Sequence, residues 1–490
     1  MARDEKAQTM PAAAVRPCFH FSPPANWLSD PNGLVWQAGY WHLYYQHNPH
    51  GEDWGHMSWG HARSADLIDW EALEPAMLDT DEHFIFSGCA VVDRKNSAGF
   101  GPDAMIALFT AARLDASHQS QHLAVSHDDG RSFVAYDGNP VLDLGMVDFR
   151  DPNIFWHEPT RRWIMVVARS AEHCASLFGS NDLRAWRHLS DIGPWDAPGQ
   201  VWECPMLIDL PVEGSTERRW LFKVDVLHGG PGSGALALCG SFDGTAFTPD
   251  LSDGRFDWQA IDSGSDFYAA VPWHEPRDSA GRPAWIGWTG NHAYQSSLPR
   301  QGWRGAMSTP RRLSFRRDGA RYRLVQEVEP ALAAAFTAHP AERLSGGAVT
   351  LALASRLAFS IDRTTCVGIR IASPDGAAIL LDFADGMLRV DRAAGFHADF
   401  DKPRGVPIEE GPVTVWLDCG VVEIESAGGR DWFTAQHRLF SETATLTVST
   451  DRPLPIDFAT FDRAAAPLLV VRDSDVESEG QSLACADRRG

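Results

Sequence analysis

The 490-residue chain is short of positive charge: 43 Lys and Arg stand against 65 Asp and Glu, a formal net charge of −22 at pH 7. Such a field repels phosphate backbones and anionic headgroups, which argues against a nucleic-acid or membrane partner. Cysteine is sparse, eight residues with no CxxC pair, so neither a disulfide scaffold nor a cysteine-ligated metal centre is indicated and the thiols are expected to be reduced and mostly buried. No apolar run of about 18 residues is present. The first residues, MARDEKAQTMPAAAVRP, mix acids and bases without the apolar segment of a secretory leader, so a cytoplasmic setting is the expectation. The histidines show no metal-ligand spacing, and HGGPGSG at 228–234 lacks the Lys-Ser/Thr ending of a phosphate loop; no metal and no cofactor are expected. What the chain does have is hydrophobic residues, 44% against 22% charged, enough to build a substantial core in a protein of two or three domains.

A small pattern recurs: an apolar run, Ser-x-Asp, a turn and an aromatic. It reads SADLIDW from 64, SHDDGRSF from 126, SNDLRAW from 180 and SFDGTAF from 241, with starts 62, 54 and 61 residues apart. Periods of about 40–60 residues with short strands mark propeller blades. The Ser and Asp side chains can bond backbone two residues on and hold a hairpin corner, while the aromatic fills the space between sheets. A second series, LSDPNGLVW, IFSGCAVV, FRDPNIFWH, VWECPMLID and DFYAAVPW, carries Asp30, Ser87, Asp151, Glu203 and Asp266 at steps of 57, 64, 52 and 63. Five segments imply five blades. If they are the innermost strands, their polar ends meet at one mouth of the channel; the alternative is a set of unrelated loop acids.

After GWRGAMSTPRRLSF at 302–315 the texture changes. The Ala-rich VEPALAAAFTA suggests a helical connector, and from 346 onward short alternating strands such as VGIRIAS, AAILLDF and VTVWLDCGVVEIESA predict a β-sandwich. The expected organisation is all-β: an N-terminal extension at 1–17, a five-bladed propeller over 18–325, a helical linker over 326–345, a sandwich over 346–470 and a tail over 471–490.

Asp30 and Asp151 lie in Asp-Pro-Asn turns and Glu203 lies between Trp202 and Cys204. Turn chemistry alone explains one such Asp; two at equivalent places, plus the Glu, suggest chemistry. A carboxylate in apolar surroundings is kept protonated and suits a general acid, while one in a hydrogen-bonded turn stays ionised as a nucleophile. That pair is what glycoside cleavage needs. The nineteen tryptophans could stack sugars, but most are expected to fill blade interfaces.

NWLSDPNG at 26–33 resembles the nucleophile box of glycoside hydrolase family 32, the invertases, levanases and inulinases. YYQHNP, WGHARSADLIDW, FSG, FRDP, WECP, DFYA and GWRGAMSTPRRL follow in the family's order, and LDCGVVEIESAGGRDWFTAQ at 417–436 is similar to the signature of its C-terminal sandwich. The resemblance implies a propeller plus sandwich and a retaining β-fructofuranosidase acting on sucrose or short fructo-oligosaccharides. Asp30 would be the nucleophile, Glu203 the acid/base and Asp151 the stabiliser of the oxocarbenium-like transition state, with the first two carboxyls about 5–5.5 Å apart. It further implies Asn26 or Trp27, Gln46, Trp54, Phe86, Ser87, Arg150 and Trp288 as pocket residues, and Asp266 as a hydrogen-bonding partner of the acid/base. The partner is thus a small sugar, with the protein a monomer or homodimer. Ser29 stands where many of these hydrolases have Asn, which keeps a fructosyltransferase as the alternative; a binding-only propeller without catalysis is the more distant one.

Overall fold

The computed structural model describes residues 15–461, apart from 196–198, 200, 228–233, 345–347, 363, 365, 393–396, 451–452 and the side chains of 340–344. The expected tail, most of the expected extension, residues 462–470 and Cys485 lie outside the described residues. Five sheets, each built on four antiparallel strands and three of them carrying a short fifth, follow one another along the chain. Their first strands, Asn26–Gln37, His83–Asp93, Phe149–His157, Val201–Pro211 and Tyr268–Trp273, touch in a ring, each beside the next and the fifth beside the first. This is a five-bladed propeller with those strands innermost.

The repeated corners sit between the third and fourth strands of blades one to four. Ser64 Oγ accepts the Leu67 amide and Asp66 Oδ1 accepts those of Ile68 and Asp69; Asp182 and Asp243 cap their turns in the same way. Because these bonds are local, they are written in the sequence. The aromatics fill the wedges between blades. Trp59 lies between blades one and two, Trp163 between two and three, Trp202 between three and four and Trp285 between four and five. Trp27, Trp41, Trp273 and Trp288 close the ring between five and one. Each buries about 150–250 Å², or roughly 4–6 kcal/mol of gross transfer free energy.

The connector departs from expectation. Helix is confined to Pro330–Ala334, and Phe336–Leu344 is already a strand of the sandwich, paired with Leu454–Phe461. Phe336 is pulled into a cluster with Phe19, Trp416 and Phe461, so burial overrides the helical propensity of the alanines. The sandwich consists of two six-stranded sheets over an apolar core that includes Leu357, Ile369, Leu381 and Val415.

Propeller and sandwich are joined by buried charge. Arg311 donates to Glu423 Oε1 at 2.9 Å and to Thr434 Oγ1 at 3.0 Å, and Asp262 accepts the Thr434 amide at 2.8 Å. Asp418 accepts the amides of Cys18, Phe19 and His20. A Cβ on Gly264 would stand 2.0 Å from the Thr434 carbonyl oxygen, so the backbones meet with no room for a side chain. Among the described residues, seven cysteines are free, five of them buried, with Cys18 half-buried and Cys366 exposed. No described helix is long and apolar enough to cross a membrane.

Candidate active site

All five innermost strands carry a register break at the same depth: between Leu28 and Pro31, Ile85 and Gly88, Arg150 and Asn153, Glu203 and Met206, and Tyr268 and Val271. A bulge inserts a residue, bends the strand and re-aims a side chain. Three bulges place a non-glycine residue in the left-handed region, Asp151 at φ 64°, Cys204 at 47° and Ala269 at 53°, a conformation that costs energy unless the surroundings enforce it. Pro31, Pro152 and Pro205 fit here because they lie at register breaks on strands at or near a sheet edge; the short Trp303–Arg304 strand beside the first of these strands pairs only with Asn26 and Trp27, so a missing N–H breaks no ladder bond there.

The bulges gather the predicted acids. Asp30 Oδ2 accepts the Ser87 hydroxyl at 2.8 Å. The Cys204 amide donates to Asp151 Oδ2 at 2.9 Å, and its thiol lies 3.7 Å from that oxygen and 4.0 Å from Asp30 Oδ2. Cys204 therefore ties blade four to the acids of blades one and three. Burial, with Asp151 and Asp30 beside it, pushes its pKa well above the usual thiol range, so the sulfur keeps its proton. Arg150 donates to Glu203 Oε1 from Nη2 at 3.1 Å and Nε at 3.3 Å, and to Asp148 at 2.8 Å. The Tyr268 hydroxyl donates to Glu203 Oε2 at 2.7 Å.

Electrostatics differ from the sequence expectation at both members of the expected pair, Asp30 and Glu203. Burial pushes Asp30 up, against the pull of His292 and the Ser87 hydrogen bond. Burial also pushes Asp151 up, to about 7, against the pull of Arg150. At Glu203 burial acts in the same direction, but Arg150, His292 and Tyr268 outweigh it and hold the carboxyl below its usual range. Arg150, at hydrogen-bond distance from Glu203 but 4.0 Å from Asp151, thus favours the charged form of Glu203 more than that of Asp151.

The other expected residues divide into three groups. Gln46 Nε2 donates to the Ile85 carbonyl at 3.1 Å and Asn26 Nδ2 to Pro49 at 2.7 Å, so both brace the blade-one rim. Trp54 is 48% exposed and stands edge-on to Phe84 and Phe86, an aromatic wall open to a ligand. Trp27 and Trp288, 1% and 0% exposed with rings 6.1 Å apart, belong to the cluster that Phe84 and Phe86 pack against and present almost no surface.

Asp266 requires correction. It does not bond the acid/base; it accepts the Gln436 amide at 2.8 Å and is paired with Arg392 and Tyr294 at the sandwich interface. Tyr268, two residues on in the same DFYA segment, makes the bond to Glu203. His292, packed edge-on against Trp288 and Tyr268, was equally unmarked in the sequence, since a lone His in a loop carries no pattern.

The family model described as "Glycosyl hydrolases family 32 N-terminal domain" matches residues 20–328. The chain belongs to glycosyl hydrolase family 32. It is 42% identical over 319 residues to a levanase of Bacillus subtilis, a match covering 64% of this chain and 46% of the levanase. An extracellular exo-inulinase of Aspergillus awamori is 32% identical over 478 residues, covering 85% of this chain and 88% of that protein. The crystal structure of the A. awamori exo-inulinase superposes with a TM-score of 0.83 at 29% identity, covering 93% and 99% of the two chains. A β-fructofuranosidase of Schwanniomyces occidentalis complexed with fructosyl-erythritol gives 0.81 at 26% identity, covering 92% and 98%. The clustered Asp30, Asp151 and Glu203 thus all lie within the stretch that the family model matches.

Proposed function

We propose that this family 32 protein is a retaining β-fructofuranosidase that releases the terminal β-D-fructofuranosyl unit of sucrose or short fructo-oligosaccharides. The observation that carries the reading is the meeting of Asp30, Asp151 and Glu203, from three different blades, around Cys204 and Arg150. Relatives named levanase, exo-inulinase and β-fructofuranosidase support it.

Asp30, oriented by Ser87, attacks C2 of the fructosyl unit while Glu203 gives a proton to the departing oxygen. The resulting ester on Asp30 is then opened by a water whose proton returns to Glu203. Interacting carboxyls titrate as a set, so a proton held by the resting cluster can move to Glu203. A sugar hydroxyl that takes over a hydrogen bond of Arg150 weakens the hold on Glu203 and makes that shift favourable. Asp151, in its strained bulge, contacts ring hydroxyls and stabilises developing positive charge at C2.

One observation favours a second reading, transfer of the fructosyl group to a sugar acceptor. Ser29, beside the nucleophile, is 2% exposed, and its hydroxyl accepts the Trp27 indole N–H at 3.1 Å. It therefore offers no amide donor toward the fructosyl-enzyme. Incubation with concentrated sucrose, with glucose and fructose measured separately, separates the two. Equal release means hydrolysis, and glucose in excess means transfer. If neither sugar appears from sucrose, and none from inulin or levan, the fructosidase reading is wrong.

A further inference from the structure

The blade-one loop that carries Trp54 brings together residues that no spacing in the sequence connects. His50 and His56 flank Trp54 between the strands Tyr40–Asn48 and Ser58–Ser64, and Asp79 follows the strand Trp70–Met77. Their donor atoms all lie within 4.8 Å of one another. His56 Nδ1 is 3.0 Å from Asp79 Oδ2, and the two imidazole rings meet edge to face with centroids 5.0 Å apart.

We propose that His50, His56 and Asp79 bind one divalent transition-metal ion of the zinc or copper type at this rim. Two imidazoles and a carboxylate form a donor set suited to such ions, whereas calcium and magnesium require oxygen ligands. Three protein donors leave a coordination position open to water. The ligands are themselves held. The Asp79 amide donates to Ser58 Oγ at 2.9 Å, Ser58 Oγ donates to the His56 carbonyl at 3.0 Å, and the His50 amide donates to Asn48 Oδ1 at 2.9 Å. Such outer contacts orient metal ligands. His56 sits at φ 47°, a backbone state that L-residues adopt only when the surroundings impose it. An exposed His–Asp ion pair explains His56 and Asp79 but not the third donor beside them.

An ion here would fasten the Trp54 loop to the segment leading into Phe84 and Phe86, whose rings lie 5.9 and 6.2 Å from that of Trp54. The site acts on the rim and takes no part in bond cleavage.

The test is calorimetric titration of the metal-free full chain with Zn2+, together with the visible d–d absorption of added Co2+, neither of which depends on turnover. One equivalent of Zn2+ and a tetrahedral or five-coordinate Co2+ spectrum are expected. The variants His56→Ala and Asp79→Ala should each weaken binding about tenfold or more, and a His118→Ala control at the unrelated His118–Asp143 pair should leave it unchanged. Absence of binding to the wild type overturns the proposal, as does binding that persists in a His50→Ala/His56→Ala double variant.

Discussion

Replacing Arg150 by Gln keeps a side chain that can hydrogen-bond Glu203 but removes the guanidinium that donates to that carboxylate. At 3.1 Å and an effective dielectric of about 20, the Coulomb attraction is roughly 5 kcal/mol before desolvation is subtracted. An opposite charge at such range typically lowers a carboxyl by about 1–3 pKa units, or roughly 1.4–4 kcal/mol. Arg150 pulls both Glu203 and Asp151 down, so its loss lets the cluster keep its proton to higher pH. The wild-type kcat/KM should fall as pH rises through about 7, where Asp151 and the cluster it belongs to lose that proton. In Arg150→Gln this alkaline limb should move up by at least about one pH unit. The acid limb, set by protonation of Asp30, should move less, because burial, His292 and Ser87 act on Asp30 directly and Arg150 only through Glu203. Arg150→Lys, which restores the charge without the fork, should return the limb close to its original position. Initial rates on sucrose across the pH range provide the assay. An alkaline limb that does not move in Arg150→Gln would refute the assignment of Arg150 as the group that sets the proton affinity of the cluster.

Asp30→Asn should lower kcat by roughly 10⁴-fold or more with little change in Tm, and a near-normal rate would remove Asp30 from the nucleophile role. Glu203→Gln should do comparable damage on sucrose and far less on a fructoside with an activated leaving group, measured side by side. Stability should depend on pH through the domain interface. Burial alone would lower His20, but Asp418 and Glu423 outweigh it and raise it to about 9; burial would raise Glu423, but Arg311, His20 and Thr309 bring it to about 2. The His20 contribution is complete below about pH 6.5 and lost as pH rises through 9; that of Glu423 is complete above about pH 4.5 and lost as pH falls toward 2. Tm should therefore plateau near pH 4.5–6.5 and fall on both sides, each group contributing on the order of 3 kcal/mol. A curve still rising between pH 7 and 9 would contradict this. Gly264→Ala, whose Cβ would collide with the Thr434 backbone, should cost on the order of 2–4 kcal/mol by calorimetry, and an unchanged Tm would mean that the interface yields.

The blades and their acids were legible because what specifies them is local. Ser64 and Asp66 bond amides within three residues of themselves, so the corner appears as a short repeated string. Asp30, Ser87, Asp151 and Glu203 recur because each lies within or at the edge of the register break of its blade's innermost strand. What the sequence hid is set by contacts made across the fold. Asp266 and Tyr268 are two residues apart, but one faces Arg392 of the sandwich and the other Glu203 of blade four, a division that the intervening chain does not encode. The alanines after Pro330 promise more helix than forms, because Phe336 has Phe19 and Trp416 to bury against. The inverted proton affinities of Glu203 and Asp151 follow from where the Arg150 fork lands in the pocket, although its neighbour in the chain is Asp151.

The measurement that bears most directly on the proposed chemistry is the anomeric form of the product when sucrose is cleaved in water containing methanol, read by NMR. Attack by Asp30 followed by methanol on the ester inverts C2 twice, so methyl β-D-fructofuranoside should accumulate and should be absent with Asp30→Asn. Appearance of the α-anomer, or of either fructoside at normal rate from the Asp30 variant, would contradict a double displacement through Asp30.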